Sequence, residues 1–372
     1  MASKPAERVA PTAAAAGDAA SAATAPAAVS VRSMRAEDEA AAQALIVSAF
    51  RDRLGLAPDA PFWMVHTNWA ARRRYLQVSL IAEAPDGDIL GCILAGVWGT
   101  AGFFGPLAVD PARQGKGVAK ALLSETMRLL REVHGAEHIE IFTFAESAQH
   151  HMLYLRSCGL RQGFLSYIMK KSVPAPLEQQ ESTPAAPSPY TTLRLRDLRP
   201  AARADALARV RALCGRAALP GLDIGIELSA VEHLNFGAAL LVYRRPEEPA
   251  GADGVGEEAD EGELVAAAAV HCGAAADSEA PLGVAYCKIA VAADAAAFGE
   301  LLAALEGYAR SEGCQDLQAG ISLARTSAYD AMSAAGFKIS GIGVLMSSPP
   351  PGEAAAGATY NRRDVFMISD MR

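Results

Sequence analysis

The sequence predicts a mixed α/β fold built as two similar domains in tandem. Short apolar runs alternate with helical patterns along both halves of the chain, which favours sheets flanked by helices. In each half, one apolar run leads directly into a long helical pattern, at 103–134 and again at 286–310. The order of elements around these two units is similar. We therefore expect each half to form a mixed, mostly antiparallel twisted sheet flanked by helices.

The composition limits the classes of function that the chain can have. It has 372 residues, enough for two or three domains, and a formal net charge of -8. Because no long basic run is present, the sequence argues against a nucleic acid as the main partner. No apolar run approaches the length of a transmembrane helix, about 18 residues, which argues against a membrane partner.

The cysteines indicate the redox environment. Six of them are scattered without a Cys-x-x-Cys pair, mostly in apolar segments, which predicts buried thiols in a reducing compartment, here the cytoplasm. The same spacing predicts no metal site. The adjacent His150 and His151 do not change this, since neighbouring side chains on a helix point apart and no third ligand has a suitable spacing.

Changes in composition mark the expected domain boundaries. Residues 1–28 are rich in Ala, Pro and Thr and predict a disordered tail, with an organellar transit peptide as the alternative. Pro-rich and acidic Gly-rich stretches predict a linker and a loop. The chain is thus expected to comprise this tail, a first domain at 29–171, a Pro-rich linker at 172–189, and a second domain at 190–372 with an acidic loop at 246–262.

Hydrophobic periodicity and turn signals give the elements of the first domain. Strands are predicted at 29–34, 78–84, 89–98, 103–109, 138–144 and 165–170, and helices at 37–53, 61–77, 117–134 and 147–158. Elements of the second domain are predicted at 191–198, 201–214, 264–270, 286–291, 295–310, 317–321 and 327–335.

The strongest chemical signal lies between strand 103–109 and helix 117–134. Two glycines, Gly115 and Gly117, precede the helix and let the backbone approach a ligand closely, because they have no Cβ. The backbone N–H groups at a helix N-terminus bind phosphate oxygens. The glycine spacing is neither that of a nucleoside-triphosphate P-loop nor that of a dinucleotide-binding fingerprint.

The hexapeptide 114–119, Gln-Gly-Lys-Gly-Val-Ala, resembles the acetyl-coenzyme A signature Gln/Arg-x-x-Gly-x-Gly/Ala of the GNAT N-acetyltransferase superfamily. The element order of 29–171 also resembles the GNAT fold, so two GNAT-like domains in tandem are expected. The resemblance implies an acetyl-CoA-dependent transfer of the acetyl group directly to an amine. It also implies that the coenzyme pyrophosphate contacts the backbone of Gln114, Gly115, Lys116, Gly117, Val118 and Ala119.

The resemblance assigns further residues of the first domain. Main-chain groups of Leu107, Ala108 and Val109 would pair with the pantetheine arm, and the Val109 amide would donate to the thioester carbonyl. Tyr154 would donate a proton to the leaving thiolate, with a core tyrosine as the structural alternative. Ser147 occupies a position where the family often has an asparagine, so its coenzyme contact would be a serine hydroxyl.

The general base has no conventional candidate, since strand 103–109 contains no carboxylate. Four side chains are close enough in the expected fold, namely Glu146, His150, Glu140 and Glu83, and Glu146 is taken with Tyr154 as the catalytic pair. Deprotonation through water is the alternative.

The acceptor is expected to contact residues 51–77, where aromatic side chains are concentrated (Phe62, Trp63, His66, Trp69 and Tyr75), although each of them also fits a core position. The acidic composition favours a cationic acceptor, which is an amine of a small molecule or of a protein.

The second domain lacks the coenzyme signature. After Val291 the sequence has no glycine before the expected helix, and Ala331 stands where the tyrosine would be. This half is therefore expected to be a degenerate copy that covers the acceptor site or contributes to a homodimer contact, with an unrelated α/β domain as the alternative.

The sequence is compatible with two classes of function. An acetyltransferase would use Tyr154, whereas a non-catalytic acyl-CoA-binding sensor or scaffold would need only the loop at 114–119. A pair of structural domains without a ligand is a third interpretation.

Overall fold

The structure of the chain is a computed structural model that describes residues 29–60, 62, 67–174, 188–246, 262–272, 278–348, 359–369 and 371. The predicted tail at 1–28 lies outside these residues, as do most of the predicted linker and most of the acidic loop.

The first half contains six strands and three α-helices among the described residues. In chain order they are β1 (Ser30–Ser33), α1 (Glu39–Arg53), β2 (Val78–Glu83), β3 (Ile89–Trp98), β4 (Ala101–Val109), α2 (Val118–Arg128), β5 (His138–Thr143), α3 (Ala148–Cys158) and β6 (Arg161–Ser172). A 3-10 helix (Trp69–Arg74) precedes β2, and α2 continues into a π-helical turn (Leu129–Val133).

The second half repeats this order, with one more helix and one more strand among its described residues. Its elements are β7 (Tyr190–Arg194), α4 (Pro200–Ala217), α5 (Gly225–His233), β8 (Gly237–Arg244), β9 (Glu263–Cys272), β10 (Val284–Ala292), α6 (Ala295–Ser311), β11 (Asp316–Ser322), α7 (Thr326–Ala334), β12 (Lys338–Ser347) and β13 (Phe366–Ile368).

All of these strands belong to one mixed sheet in which the two halves exchange a strand. The order is β1-β2-β3-β4-β5-β12-β6-β11-β10-β9-β8-β7, and β13 pairs with β10. Strand β12 lies between β5 and β6, whereas β6 pairs with β11 over seven residues, from Ser166 opposite Ser322 to Ser172 opposite Asp316. Strand β6, the last strand of the first half, therefore completes the sheet of the second half, and β12 of the second half completes the sheet of the first.

Three apolar cores hold the helices on this sheet. A central core combines α1 with α4 and α5 and includes Trp98, Phe103 and Leu222, so it is shared by the two halves. One outer core packs α2 and α3 on the first half of the sheet, and the other packs α6 and α7 on the second half. The two tandem copies thus share both a sheet and a core.

Three sequence predictions need correction. The helix predicted at 61–77 is limited, among the described residues, to the 3-10 turn Trp69–Arg74. The helix predicted at 117–134 is α-helical only to Arg128. The sequence did not predict α5, β8, β12 or β13. The last two form only through pairing with strands distant in sequence, which no local pattern encodes.

Candidate functional site

The candidate site is a cleft where β4 and β5 stop pairing. Their parallel ladder contains only Ala101 opposite His138 and Gly102 opposite Ile139, although β4 continues to Val109 and β5 to Thr143. Main-chain groups on this side of β4 are therefore not used by a ladder to β5. An extended ligand that follows β4 can hydrogen-bond to such an edge in the way that an added strand does.

The cleft has a volume of about 290 Å³ and is lined by the elements around this gap. Its walls come from the end of α1, from β4, from the loop and first turn of α2, and from α3. The lining residues are Ala49, Phe50, Asp52, Arg53, Leu107, Val109, Arg113, Gln114, Gly115, Gly117, Val118, Ala119, Lys120, Phe144, Gln149, His150 and Leu153.

The N-terminus of α2 opens into this cleft. Gly117 is its N-cap residue with φ 86°, and no side chain caps the helix, so the first N–H groups face outward without an intrahelical acceptor. Gly115 has φ 75°, and a Cβ placed at either glycine would meet nothing within 4 Å. The side chains of Arg113 and Lys120 add positive charge. Such a terminus fits a pyrophosphate.

Most of the predicted coenzyme residues line the cleft, and three (Ala108, Lys116 and Ser147) do not. Leu107 and Val109 face it, whereas the Ala108 side chain is buried in the central core. Lys116 is absent from the lining, because its ammonium group turns back to donate to the Ala112 carbonyl at 3.3 Å. The contribution expected from Ala108 and Lys116 is thus limited to their main-chain groups.

Ser147 and His150 form a hydrogen-bonded pair at the start of α3. Ser147 is the N-cap residue of this helix and accepts from the His150 amide, and its Oγ lies 2.9 Å from Nδ1 of His150. His150 lines the cleft. Burial lowers the pKa of His150, and the nearby charges of Arg53 and His151 lower it further. The imidazole is therefore neutral near pH 7, the form that accepts a proton.

Tyr154 lies behind the cleft lining. Its side chain is buried in the outer core of the first half, with its ring edge-on to Phe104 at 5.7 Å and stacked on His150 at 6.1 Å. Burial raises the pKa of the Tyr154 hydroxyl, so the phenol stays protonated. His150 is thus the direct contact between Tyr154 and the cleft.

The carboxylates considered as bases occupy different environments. The Glu146 side chain is exposed and pairs at 3.2 Å with Arg53, which lines the cleft. Glu140 is buried away from the cleft and accepts from Asn361 at 2.6 Å, and burial raises its pKa. Glu83 pairs with Arg32 at 2.6 Å in β1, a structural role. Of these three carboxylates, only Glu146 pairs with a residue that lines the cleft.

The aromatic residues expected to contact the acceptor are mostly engaged elsewhere. Phe62 lies under the Arg51 guanidinium, at 5.2 Å. Trp69 is buried in the central core, and the Tyr75 hydroxyl donates to Glu279 of the second half. The remaining two candidates, Trp63 and His66, lie outside the described residues.

Sequence reasoning missed the contribution of α1 and β5 to the cleft. Phe50 and Phe144 lie 6.3 Å apart, and Arg53 covers the Phe144 ring at 5.3 Å. Phe144 also contacts His150, at 6.3 Å. These residues are far apart in sequence, and Phe50 and Arg53 carry no motif, so no sequence signal could have assembled them.

The corresponding site in the second half is filled by the chain itself. Strand β13 pairs with the edge of β10, with Ala290 opposite Ile368 and Ala292 opposite Phe366. The N-terminus of α6 is capped by Asp294, which accepts from the Ala297 amide at 2.8 Å. A carboxylate thus occupies the helix terminus that in the first half is left open.

Comparisons with known proteins agree with this geometry. The sequence profile described as the acetyltransferase (GNAT) family matches residues 42–160. No curated protein in the comparison matches the chain.

Solved structures show the same fold at low sequence identity. A proposed acetyltransferase from Pyrococcus horikoshii has a TM-score of 0.55 and 13% identity, over 92% of this chain and 95% of that one. A tandem GNAT protein from the clavulanic acid biosynthesis pathway has a TM-score of 0.50 and 14% identity, over 88% of this chain and 100% of that one. A glucosamine N-acetyltransferase region of a fungal multi-domain β-N-acetylglucosaminidase has a TM-score of 0.54 and 16% identity, over 87% of this chain and 38% of that one.

The fold and the cleft together are of the GNAT type. Residues 42–160 belong to the acetyltransferase (GNAT) family, and the chain as a whole has two GNAT-like domains in tandem. Among the described residues, no helix is long and apolar enough to cross a membrane.

Proposed function

We propose that the chain is an acetyl-CoA-dependent N-acetyltransferase whose active copy is the first half. The observation that carries this proposal is the uncapped N-terminus of α2 at the end of the β4 edge that β5 leaves unpaired. In this proposal the backbone N–H groups of 114–119 bind the pyrophosphate, and the pantetheine arm follows Leu107 to Val109.

The reaction would be a direct transfer within the cleft. The amine nitrogen attacks the thioester carbonyl carbon, the Val109 amide stabilises the developing negative charge on the carbonyl oxygen, and the carbon–sulfur bond breaks. His150 accepts the proton from the amine, and Tyr154 donates its hydroxyl proton to the thiolate. Glu146 takes no proton in this scheme. It acts on the cleft indirectly, through its ion pair with Arg53, which lines the cleft.

The proposal includes a division of labour between two domains, at about 29–171 and 190–372. The second would be a degenerate copy without a coenzyme, because β13 and Asp294 occupy the corresponding positions.

The acceptor is an amine of a small molecule or of a protein. All six cysteines are buried and none forms a disulfide, which fits the cytoplasm as the site of action.

A second candidate function is a non-catalytic acyl-CoA-binding protein. The position of Tyr154 favours it, since this residue lies behind the cleft lining. The two functions share the coenzyme site and differ only in turnover.

Calorimetry with acetyl-CoA tests the coenzyme site. The wild type should bind with a Kd in the micromolar range, and Gly117→Trp should abolish binding by filling the loop. Gly135→Trp is the matched control, because Gly135 also has positive φ and open space but lies outside the cleft. Absence of binding by the folded wild type would exclude both functions. Binding without release of free coenzyme A in the presence of any amine from a broad panel would select the sensor.

A further inference from the structure

A second cluster of charged side chains is buried between the two halves. It contains two cations, Arg72 and Lys288, and two carboxylates, Glu227 and Glu279, each no more than 3% exposed. Lys288 lies 3.4 Å from Glu227, which also accepts from Trp98 at 3.1 Å. The formal charges balance, as buried ions require.

The centre of this cluster is Glu279, which comes from the second half. Arg72 donates to one of its oxygens at 2.5 Å, and Lys288 donates to the other at 2.5 Å. The Tyr75 hydroxyl donates to the same oxygen as Lys288. Although burial alone would raise the pKa of Glu279, the charges of Arg72 and Lys288 outweigh it and lower the pKa. Glu279 is therefore an anion with both oxygens engaged, and not a general base.

Arg72 connects this carboxylate to the strand that forms the cleft. Its Nη1 donates to the Gly105 carbonyl at 2.6 Å, while its Nη2 holds Glu279. Gly105 and Pro106 form a β-bulge in β4, since Ile93 pairs with Leu107 and Ala95 with Phe104. Directly after this bulge come the two β4 residues that line the cleft.

The second half has a bulge at the same place. In β10, Cys287 pairs with Val270 and Ile289 with Ala269, which leaves Lys288 as the extra residue. Lys288 is the other cation on Glu279. One carboxylate thus joins the bulge of β4, through Arg72, to the bulge of β10.

We infer that Glu279 of the second half is a positioning residue for the first half, acting through Arg72 on the Gly105 carbonyl to fix the course of β4 along the cleft. The inference rests on the proposed function and gives the second half a task that needs no ligand of its own. A bulge redirects a strand, so its anchor sets where the main-chain groups of 107–109 point. Small displacements of such groups reduce a transfer rate strongly.

Two variants and a matched control test this role. Glu279→Gln removes the central charge. Arg72→Lys keeps the charge balance, and so is expected to fold, but an ammonium cannot reach both Glu279 and the Gly105 carbonyl as the planar guanidinium does. Glu306→Gln is the control, because Glu306 also forms an ion pair between the halves, with Lys171 at 2.5 Å, but does not touch β4.

Three readouts separate positioning from a general loss of stability. In Arg72→Lys, we expect faster hydrogen–deuterium exchange in a peptide covering 101–110, and kcat lower by about 10–100-fold. The Kd for acetyl-CoA should change less than threefold, because the loop at 114–119 is intact. Glu306→Gln should match the wild type in all three.

The inference is overturned if Arg72→Lys exchanges and turns over like Glu306→Gln. If Glu279→Gln does not fold, Arg72→Lys alone decides. If the wild type acetylates no amine, the proposed function fails, but the exchange of 101–110 still shows whether Arg72 and Glu279 position β4.

Discussion

Ser147 Oγ lies 2.9 Å from Nδ1 of His150, so the residue that caps α3 also fixes the imidazole that lines the cleft. A hydrogen bond at Nδ1 orients the ring and leaves Nε2 for a second interaction. The serine, expected from the resemblance to contact the coenzyme directly, thus also has a role through the histidine.

The pH dependence of turnover should report on His150. Its pKa in the folded protein is below the usual 6.5, so kcat/KM should fall only at pH values below 6.5. His150→Gln should remove this limb and lower the plateau by about 10²–10⁴-fold, the range for a general base. His134→Gln, outside the cleft, should keep the wild-type profile. An unchanged profile in His150→Gln would exclude His150 as the base.

The same shift has a consequence for stability. The unfolded state binds a proton at His150 more readily than the folded state does, because the folded pKa is lowered. The free energy of unfolding should therefore rise with pH across the window between the folded pKa and 6.5. In His150→Gln this rise should be smaller, as measured by guanidinium titration at several pH values.

The Tyr154 hydroxyl can be tested separately from its ring. Tyr154→Phe keeps the contacts with Phe104 and His150, so the Kd for acetyl-CoA should stay within about twofold, while kcat should fall by about 10²-fold if the hydroxyl is the proton donor. Stopped-flow measurement of thiol release gives kcat directly. Full turnover in Tyr154→Phe would leave the tyrosine with a packing role only.

The buried ion pair of Arg72 and Glu279 predicts a strongly non-additive effect on stability. Glu279→Gln leaves Arg72 and Lys288 buried without their shared anion and should cost about 3–5 kcal/mol of unfolding free energy. In the double variant Arg72→Met with Glu279→Met, part of this loss should be recovered, because Lys288 keeps Glu227. Denaturant titration of Arg72→Met, Glu279→Met and the double variant gives the coupling energy. Additive losses would show that the pair is not coupled.

The strand exchange predicts that neither half folds alone. A chain cut within 175–187 leaves β6 in the first fragment without β11 and β12, its two neighbours. Unpaired strand edges promote aggregation. The two fragments should therefore be insoluble when expressed separately and should copurify as a 1:1 complex when expressed together. Two separate soluble monomers, each with cooperative unfolding, would contradict the exchanged sheet.

The sequence predicted those elements whose signals are local. Strand 103–109, the glycines of the loop and the helix that follows lie within about thirty residues, and the structure has them as β4 and α2. The exchange of β6 and β12 could not be predicted, because each strand would pair equally well with its own half as judged by pattern alone.

The same limit applies to the site. The glycine loop that joins β4 to α2 could be predicted because Gly115 and Gly117 lie close together in sequence. His150 was one of four candidates for the general base. Its burial and the nearby charge of Arg53, which lower its pKa, distinguish it from the other three. The segment around Trp69 was expected to be helical, but Arg72 and Tyr75 are held by Glu279, which is about 200 residues away in sequence. Tertiary contacts of this kind override local propensity.

The pairing of β13 with β10 predicts a single coenzyme site per chain. A peptide that hydrogen-bonds along Ala290 to Ala292 competes for the same main-chain groups that a pantetheine arm would use. Titration should therefore give one coenzyme per chain, and restoring glycines at the start of α6 would not create a second site. If the two halves arose by duplication of a domain with one site, the second site would have been lost when β13 paired with β10. Point substitutions near the start of α6 cannot restore that site, because they leave β13 in place.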